Sequence, residues 1–554
     1  MATIVEKHNG QTIYRSPNTI DIPSVDLLTF LFDSPNERLK GDTVLHAEAA
    51  DPSKFITRDR LVTCLKQLSH TLRHRYGIKR GDAVQVVFTG HYMAPVVFHG
   101  IMGAGGSVAA STPSSSPPEI ARQIKLTESK MIICSPDLKA LAAAGGSAGG
   151  LSDDRILYIG DSHEFQLFEA KTDKQVSLSK EGMEWERVTD RETLENTVGC
   201  YIYSSGTTGV PKAVEISHTN MIAQTLLIST PTIEYYKTHP KIPFITLAHL
   251  PAAHVSGLQA YIMNQTYMGG VVYWMKKFEF GKFLEYTKKY KITSFFSVPP
   301  IYLMIAKSPL VTDQFDHVQY ALTGAAALGR DTQAAAQKKL GKGKAILGQT
   351  WGLSETTGGF TILPRHLNDD TGSVSMIVAN CEARLVDEDG KDVEVGEAGE
   401  MWCRGPIVTK GYYKNDQANK EAFVEGWFCT GDRLSFKDGK FYFVDRKKEL
   451  IKYKGFQVAP AELEALLVTH PKIQDAAVIG IDGEGTELPR AYVVADKKQI
   501  SADEIAQWVA GQVASYKKLR GGVILIDAIP KSPSGKLLRK ELRALVKRET
   551  SAKL

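Results

Sequence analysis

The sequence predicts an α/β fold: a large N-terminal domain of layered α/β subdomains plus a β-rich subdomain, followed by a small mobile α+β C-terminal domain. Three observations support this prediction. Short β-type runs alternate with helical stretches over residues 61–352, a hairpin pattern follows over residues 372–413, and a separate α+β pattern follows Asp438-Gly439. We therefore predict an N-terminal domain over residues 1–445 and a C-terminal domain over residues 446–554.

The layered part is predicted from the alternation itself. The β-type runs are "AVQVVF", "KMIIC", "RILYIG", "CYIY", "ITSFFSV" and "VQYALTG", and the helical stretches include "SPPEIARQIKL" and "FGKFLEYTKKY". Strands that alternate with helices favour mostly parallel sheets covered by those helices.

The remaining elements are predicted from turn signals. Asp389-Gly390 lies inside an apolar and polar alternation that is typical of a hairpin, and Asp438-Gly439 opens a second one. After the second turn, "PAELEALLVTHP" predicts a helix, and "DAAVIGI" and "RAYVVA" predict strands. This tail of about a hundred residues is long enough for its own domain. The low-complexity stretch at residues 141–150, "LAAAGGSAGG", predicts a mobile loop.

Composition excludes several classes of protein. The 554 residues are 43% hydrophobic and 23% charged, with a net charge of only +5, which is too mild to predict a nucleic-acid partner. Six cysteines without a CxxC pair predict reduced buried thiols rather than a disulfide framework or a zinc site. No 18-residue apolar run and no signal core are present, so we expect no membrane span and no secretion by the usual route. The composition predicts no oligomeric state.

The last three residues resemble a targeting signal. Ala552, Lys553 and Leu554 are a one-residue variant of the peroxisomal tripeptide Ser-Lys-Leu. The tail predicts a peroxisomal location with the import receptor as a partner, and a cytoplasmic location otherwise.

The stretch "YSSGTTGVPK" at residues 203–212 predicts a loop that grips phosphate oxygens. Glycines allow the backbone to approach a ligand closely, and hydroxyls add donors to the exposed amides. A buried strand, "VGCYIY", precedes the loop, and an amphipathic stretch, "KAVEISHTNMIAQ", follows it, so we expect the loop at a strand end beside a helix start. An ordinary surface turn is the alternative interpretation.

Two other motifs do not fit their usual chemistry. The segment from Gly145 to Gly149 matches the GxSxG esterase pattern, but no predicted strand leads into it. A Walker-type loop needs GxxxxGK followed by Ser or Thr, whereas Lys212 follows Pro211 and precedes Ala213.

Four later stretches narrow the chemistry. They are "GQTWGLSETTG", "GWFCTGD", "VDRKKELIKYKGFQVAPAELE" and "IPKSPSGKLLRKEL". Together with the phosphate loop they resemble the adenylate-forming superfamily of acyl-CoA synthetases, adenylation domains and firefly-type luciferases. "SVPPIYLMIAKSP" and "ELIKYKGFQVAPAELE" are most similar to the 4-coumarate:CoA ligase-like group, and the resemblance extends over about residues 40–545.

The resemblance implies an ATP-dependent carboxylic acid:CoA ligase that forms an acyl-adenylate and then a thioester, with ATP, Mg²⁺ and coenzyme A. Glu355 would ligate Mg²⁺, and Trp351 would stack on adenine. Asp432 and Arg446 would hold the ribose. The residues implied to contact ATP or CoA are Ser204, Ser205, Gly206, Thr207, Thr208, Gly209, Lys212, Gly324, Ala325, Ala326, Gln349, Thr350, Trp351, Gly352, Ser354, Asp432, Arg446, Lys448 and Gly455.

The resemblance also implies residues that act in the two half-reactions. Lys536 would bridge the carboxylate and the α-phosphate, and His254 would line the carboxylate site, although a lone histidine is often only structural. After rotation about Lys448, the face with Lys452, Gly455 and Gln457 would complete a pantetheine tunnel. For Lys447 we keep the interpretation of a solvated basic face.

The substrate and the acceptor stay open in part. Relatives in the group have Tyr at the position of Trp351 and Thr at that of Ser354, and "TTGGFTILP" departs from the coumarate-type wording, so coumarate is not assigned. Apolar and aromatic stretches around "HVSGLQAYIM" and "SFFSVPP" favour an aromatic or medium-chain acid. The alternatives are an adenylating enzyme whose acceptor is a carrier protein or oxygen, and a catalytically silent nucleotide-binding regulator.

Overall fold

A computed structural model describes residues 2–33, 39–204, 211–240, 242–454, 456–483, 485–532 and 535–551. In this part of the chain no helix is both long and apolar enough to cross a bilayer.

The first layer is an eight-stranded sheet. Its strands lie in the order Gln175–Val176, Leu167–Glu169, Ile156–Ile159, Met131–Cys134, Ala83–Val87, Ser107–Ser111, Val198–Ser204 and Lys212–Ser217. The five strands from Ile156–Ile159 to Val198–Ser204 are parallel to one another, and the outer strands pair antiparallel. Near-continuous burial of the central strands fits a sheet covered on both faces. The predicted parallel α/β layer is confirmed.

Two smaller sheets complete the layered part. One has four strands in the order Ile245–Ala248, Val271–Trp274, Val44–Glu48 and Phe55–Thr57; the other has three parallel strands in the order Ser294–Ser297, Tyr320–Thr323 and Ile346–Gln349. Short pairs of strands join Gly352–Leu353 to Gly358–Gly359 and Thr361–Ile362 to Met376–Ile377. The carboxyl ends of the three parallel strands lead into the sequences expected to bind nucleotide and acid.

Helices cover these sheets and belong to the same core. The α-helices of the N-terminal part are Leu27–Phe32, Arg58–His74, Ala94–Gly103, Pro117–Thr127, Lys139–Ala148, Arg191–Asn196, His218–Thr238, Val255–Gly257, Asn264–Met268, Phe280–Lys289, Pro299–Lys307, Arg330–Gln337 and Asp416–Ala422. A π-helical turn spans Leu258–Met263, and short 3₁₀ turns lie at Pro136–Leu138, Asp153–Arg155 and Gly341–Gly343. Such π turns are rare and often mark functional sites.

The loop predicted at residues 141–150 is wrong, because most of it is helical. The helix Lys139–Ala148 packs onto the eight-stranded sheet. A Cβ on Gly145 would lie 2.7 Å from Ile120, and one on Gly146 would lie 2.9 Å from Ile156. The glycines therefore serve close helix packing, and the GxSxG letters lie within a helix and not on a strand-to-helix elbow.

The β-rich subdomain is a seven-stranded antiparallel sheet. Its strands lie in the order Ile4–His8, Gln11–Arg15, Glu382–Val386, Gly399–Arg404, Trp427–Lys437 and Phe423–Val424, with Lys440–Arg446 also paired to Trp427–Lys437. The Asp438-Gly439 turn has φ values of 50° and 76°, and it joins Lys437 directly to Lys440. Both turn predictions are confirmed, since Asp387 and Lys391 also pair across the Asp389-Gly390 turn.

The C-terminal part has a core of its own. Its strands are Ile451–Tyr453, Phe456–Val458, Ile473–Gly483, Thr486–Ala495 and Val523–Leu525, and its helices are Pro460–Leu467, Ala502–Ala510, the 3₁₀ turn Ser515–Lys517, and Arg539–Ser551. Asp445 links the two parts: its Oδ2 accepts from the backbone N–H of Ala461 at 3.0 Å, at the start of a helix. Burial raises the pKa of this carboxyl to about 6.

Candidate functional site

Trp351, Asp432 and Arg446 meet at the edge of the β-rich subdomain. Trp351 Nε1 donates to Asp432 Oδ2 at 2.9 Å, and Arg446 Nε lies 3.5 Å from Asp432 Oδ1. Asp432 and Arg446 lie opposite each other on paired antiparallel strands, so the sheet register sets this contact. Burial raises the pKa of Asp432, and the positive charge of Arg446 opposes that effect. Trp351 is itself only 6% exposed, with Phe360 edge-on at 5.8 Å.

Glu355 lies in a second polar cluster with Tyr412 and Lys212. The Tyr412 hydroxyl donates to Glu355 Oε1 at 3.0 Å, and Lys212 Nζ lies 4.6 Å from the centre of the Tyr412 ring. Burial, followed by the negative charge of Glu355, raises the pKa of Tyr412. The backbone N–H of Thr409 donates to the Glu355 carbonyl and fixes the position of that residue. Tyr412 was not predicted as a site residue. It lies in the stretch "GYYK", and its partners Lys212 and Glu355 are distant from it in the sequence.

The phosphate loop has a different setting from the one predicted. Ser204 ends a strand and Lys212 begins the next one, and the two residues are paired in antiparallel register. The predicted helix start beside the loop is wrong, because "KAVEIS" is a strand with Ala213, Val214 and Ile216 buried. The helix starts only at His218. Ser205, Gly206, Thr207, Thr208 and Gly209 lie outside the described residues, as does Gly455.

The turn after the strand Tyr320–Thr323 is tight. Ala325 has a φ of 68°, and a Cβ on Gly324 would lie 3.1 Å from the Thr350 carbonyl oxygen. Ala326 is exposed. Gly324 therefore allows the backbone to pass directly beside the segment that carries Trp351.

Gln349 braces this region. Its Oε1 accepts from the Leu328 N–H at 3.0 Å, and its Nε2 donates to the Leu328 carbonyl and to Gln333 Oε1. These contacts favour a positioning role for a side chain that the sequence suggested as a nucleotide contact. Thr350 Oγ1 is likewise engaged with the Thr361 carbonyl at 2.5 Å.

The segment after Trp351 turns back on itself. A Cβ on Gly352 would lie 1.9 Å from the Gly358 carbonyl oxygen, so only glycine fits. Ser354 is half-buried, and its carbonyl accepts from the Thr357 N–H at 3.1 Å. This turn places Ser354 next to Glu355 at the same edge.

Lys536 reaches the site from the C-terminal part. A Cβ on Gly535 would lie 3.0 Å from Val298 Cγ2, so this turn packs against the start of the helix Pro299–Lys307. Burial lowers the pKa of Lys536 to about 8; the charge of Arg446 adds to that effect. The carboxylates of Asp432, Glu449 and Glu355 oppose it. Lys536 therefore lies within electrostatic reach of both polar clusters.

His254 faces the same ammonium. Burial lowers its pKa to about 4, and Lys536 adds to that effect. His254 Nδ1 lies 2.8 Å from Ser256 Oγ and also accepts from the Ser256 N–H at 3.3 Å, at the start of the short helix Val255–Gly257. A half-buried, neutral imidazole that feels the charge of Lys536 is compatible with the predicted place of His254 near the acid.

Lys448, Lys452 and Gln457 lie away from this cluster. All three side chains are exposed. Gln457 Oε1 accepts from Arg433 Nη1, which is a contact between the two parts of the chain. Lys447 was interpreted as a solvated basic residue, and its Nζ instead pairs with Glu400 at 2.9 Å while the side chain stays 40% exposed.

Metal and thiol chemistry are limited in the described ranges. There, no group of three or more His, Cys, Asp or Glu side chains is arranged to hold a metal ion. Glu355 is a single buried carboxylate, which suits Mg²⁺ because that ion commonly takes one or two protein carboxylates and completes its shell with phosphate and water. All six cysteines are free, as predicted.

Comparisons with known proteins identify the family. Residues 32–413 match the model for AMP-binding enzymes, and residues 462–536 match the AMP-binding enzyme C-terminal domain. A protein of Emericella nidulans whose name assigns it as an acyl-coenzyme A synthetase is 41% identical over 543 residues, which cover 96% of this chain and 97% of that protein. Phenylacetyl-CoA ligase epaB of Aspergillus niger is 34% identical over 96% of this chain and 98% of its own length.

The fold agrees with that assignment. ATP-bound MatB from Rhodopseudomonas palustris is 24% identical with a TM-score of 0.78, and the match covers 94% of this chain and 99% of MatB. The chain belongs to the AMP-binding enzyme family, whose adenylate-forming fold it has. Within that family it is an AMP-forming acid–CoA ligase, as its relatives at 34–41% identity over nearly the whole chain indicate.

Proposed function

We propose that this ligase activates an aromatic or medium-chain carboxylic acid with Mg²⁺ and ATP, and transfers the acyl group to CoA. The observation that supports this most directly is the position of Lys536: its turn packs against Val298 of the N-terminal part, and its ammonium lies within electrostatic reach of Asp432, Glu355 and Arg446. An ammonium delivered between a nucleotide site and an acid site is what adenylation needs.

Each of the two polar clusters binds a different part of the nucleotide. Asp432 accepts the ribose hydroxyls and Arg446 holds that carboxylate in place, while Trp351 orients it through its indole N–H. Lys212 attracts the outer phosphates, together with the loop at residues 205–210. Glu355, oriented by the Tyr412 hydroxyl, would hold Mg²⁺, and the ion would neutralise charge on the phosphate oxygens when bound.

The Lys536 ammonium offsets the repulsion between the carboxylate of the acid and the α-phosphate. At about 4 Å and an effective dielectric near 20, each pair of unit charges repels by about 4 kcal/mol. The Lys536 ammonium attracts both the carboxylate and the α-phosphate, so it stabilises the crowded transition state. Its burial strengthens this effect, since little water screens the charge.

A cavity next to the site fits the acyl group. Its wall includes Phe296, which also approaches Gly324, and Ala260, six residues after His254. Seven further wall residues are apolar or aromatic, namely Ile228, Phe244, Met268, Phe295, Tyr320, Leu322 and Ile362, and six are polar, namely Ser229, Thr232, Thr246, Asn264, Gln265 and Ser294. Such a wall favours an aromatic or medium-chain tail.

The second half-reaction requires another orientation of residues 446–554, the unit that we propose to be mobile. Lys536 in its present position blocks the approach of a thiol to the adenylate. Rotation about Lys448 would withdraw it and bring the exposed face with Lys452, Gly455 and Gln457 to the site.

We also propose that the enzyme is peroxisomal, on the basis of Ala552, Lys553 and Leu554, which lie outside the described residues. A fluorescent fusion that keeps this tail should be punctate and import-dependent. Removal of the three residues should leave the fusion diffuse, and an unchanged pattern would contradict the proposal.

A pyrophosphate-release screen tests the function. Aryl, cinnamyl and C2 to C12 fatty acids are supplied with ATP and Mg²⁺, first without and then with CoA, while thiol consumption is followed. We expect acid-dependent pyrophosphate release and CoA-dependent thiol loss with aryl or medium-chain acids. Adenylate without thiol loss favours a carrier protein or oxygen as acceptor, and ATP binding without any acid-dependent release favours a regulator.

The role of Lys536 is tested by separating the half-reactions. Lys536→Ala should lower pyrophosphate release by roughly a hundredfold or more, yet spare thioester formation from supplied acyl-adenylate. Lys517→Ala is the control, because Lys517 pairs with Glu462 on the surface of the same unit. Equal losses in both half-reactions would remove Lys536 from the proposed role.

A further inference from the structure

The acyl cavity runs between two helical segments. One is the helix His218–Thr238, and the other is the chain over residues 258–268, which begins with the π-helical turn. The space is about 580 Å³ including its open mouth. Its position beside the proposed reaction centre makes it the place for the tail of the acid.

One face of the helix His218–Thr238 runs from the proposed reaction centre along the wall of the cavity. Gln224 lies at Gly358, next to the segment of Trp351, and donates to the Gly359 carbonyl at 3.0 Å. Ile228 and Thr232 follow at intervals of four residues and line the cavity. At ~1.5 Å rise per residue, Thr232 lies roughly 12 Å beyond Gln224 along the helix.

A buried cation lies behind the far end. Arg365 is 6% exposed, and its Nε donates to Thr232 Oγ1 at 3.2 Å while Nη1 donates to the Tyr236 hydroxyl at 3.0 Å. The guanidinium carbon lies 4.4 Å from the centre of the Tyr320 ring and 4.8 Å from that of Phe244. Thr232, Phe244 and Tyr320 are also cavity-lining residues, so one layer of side chains separates the charge from the cavity.

This cation has no carboxylate partner in the described ranges. Its Nη2 is buried and makes no hydrogen bond, and the groups that act on its charge are the hydroxyls of Tyr235, Tyr236 and Tyr320. Arg384, which is equally buried, shows the contrast, because its guanidinium pairs with Asp392 at 2.8 Å. Hydroxyls and the ring faces of Tyr236, Phe244 and Tyr320 stabilise this cation, but no carboxylate in the described ranges neutralises it, so its field extends into the neighbouring space.

Thr232 transmits that field to the cavity. Its oxygen accepts from Arg365, so its own O–H remains available as a donor, and a hydroxyl polarised by a cation is a stronger donor.

We infer that the acid carries a second, anionic oxygen group at its far end, to which the Thr232 hydroxyl donates a hydrogen bond with Arg365 behind it. The substrate class is an α,ω-dicarboxylic acid, or an aryl acid with a distal carboxylate, of about the length of the Gln224 to Thr232 path. The apolar wall holds the middle of the chain, and the end that is adenylated lies at Lys536. This inference rests on the proposed function.

Paired acids test it. The ratio of kcat/KM for octanedioate to that for octanoate, and for 3-(4-carboxyphenyl)propanoate to 3-phenylpropanoate, is measured by pyrophosphate release. The wild type should favour the diacid of at least one pair. Arg365→Met and Thr232→Val should each lower that ratio roughly 10- to 100-fold, as expected for a lost hydrogen bond to a charged group. Arg365→Lys should retain part of the preference.

Arg384→Met is the matched control. It removes an equally buried guanidinium far from the cavity, so it should lower thermal stability without changing the ratio. If Arg365→Met does not fold, the kcat/KM ratios measured for Thr232→Val and Arg365→Lys test the inference instead.

The outcomes separate this inference from the proposed function. A wild type that favours the plain acid in both pairs, or a ratio that survives Arg365→Met or Thr232→Val, overturns the inference while turnover supports the ligase. If no acid is turned over, the proposed function fails. Calorimetry then decides the inference: octanedioate binding more tightly than octanoate, and less tightly after Thr232→Val, supports it, and equal binding overturns it.

Discussion

The pH dependence of the first half-reaction should follow the Lys536 ammonium. Burial lowers the pKa of this group to about 8, and the charge of Arg446 adds to the shift. Adenylation needs the protonated form, so the rate should fall as the pH rises through 8. At pH 9 only about one-tenth of the enzyme would carry the charge, which predicts roughly a tenfold loss relative to pH 7.

The assay is pyrophosphate release without CoA, from pH 6 to pH 10, at acid and ATP concentrations well below KM. Under those conditions kcat/KM reports groups of the free enzyme. Lys536→Arg should keep the site charged throughout, because the guanidinium does not titrate in this range. Its absolute rate should fall, and its alkaline limb should disappear. An alkaline limb that survives in Lys536→Arg would refute the assignment of the titration to Lys536.

The same pKa makes a prediction about stability. The folded-state pKa lies below the ordinary value of 10.5, so the unfolded chain binds more protons between pH 8 and pH 10.5. The free energy of unfolding should therefore rise with pH across that window. Below pH 8 the buried charge costs about 3 kcal/mol, so Lys536→Met should be more stable than the wild type in urea at pH 7. A destabilised Lys536→Met would contradict this.

Three further variants follow from the contacts. Trp351→Phe removes the donor to Asp432 and should raise KM for ATP roughly tenfold in the pyrophosphate assay, with little change in KM for the acid. Arg433→Met removes the contact with Gln457 and should increase protease access to the linker near residue 448; unchanged cleavage would count against the contact. Burial lowers the pKa of His99 to about 3, so unfolding free energy should fall as the pH drops from 6.5, and His99→Leu should reduce that slope in urea titrations at pH 5 and 7.5.

The fold could be predicted from the sequence where the local residue types determine the backbone conformation. The Asp438-Gly439 turn has positive φ at both residues, which Asp and Gly tolerate, so the hairpin was predictable. The helix Lys139–Ala148 was not predicted, because Gly145 and Gly146 are poor helix formers and obscure the helix-forming alanines beside them. Only the close approach of Ile120 and Ile156 explains why Gly145 and Gly146 are helical.

The charged residues of the site could be predicted from the sequence, but the residues that hold them in position could not. Asp432 and Arg446 come from separate motifs, and sheet register brings them together. Tyr412 and Arg365 gave no signal, because their roles come from neighbours that are distant in sequence. The same holds for Gln349, whose side chain makes hydrogen bonds with Leu328 that only tertiary structure creates; its contact with the nucleotide stays a prediction.

Within the described residues, several contacts between the two parts of the chain are of a kind that the proposed change of orientation could break. The C-terminal core over residues 451–525 is built from its own side chains, so rotation leaves it intact. What crosses to the N-terminal part includes single polar contacts, such as Arg433 with Gln457 and Lys307 with the Ile473 carbonyl, and small residues such as Gly329 against Ala465. Exposed polar contacts of this kind contribute little each, since water replaces them readily. Arg433 holds Gln457 in the orientation described, and the proposed rotation would bring Gln457 to the site, so the same side chain would help to set the balance between the two half-reactions.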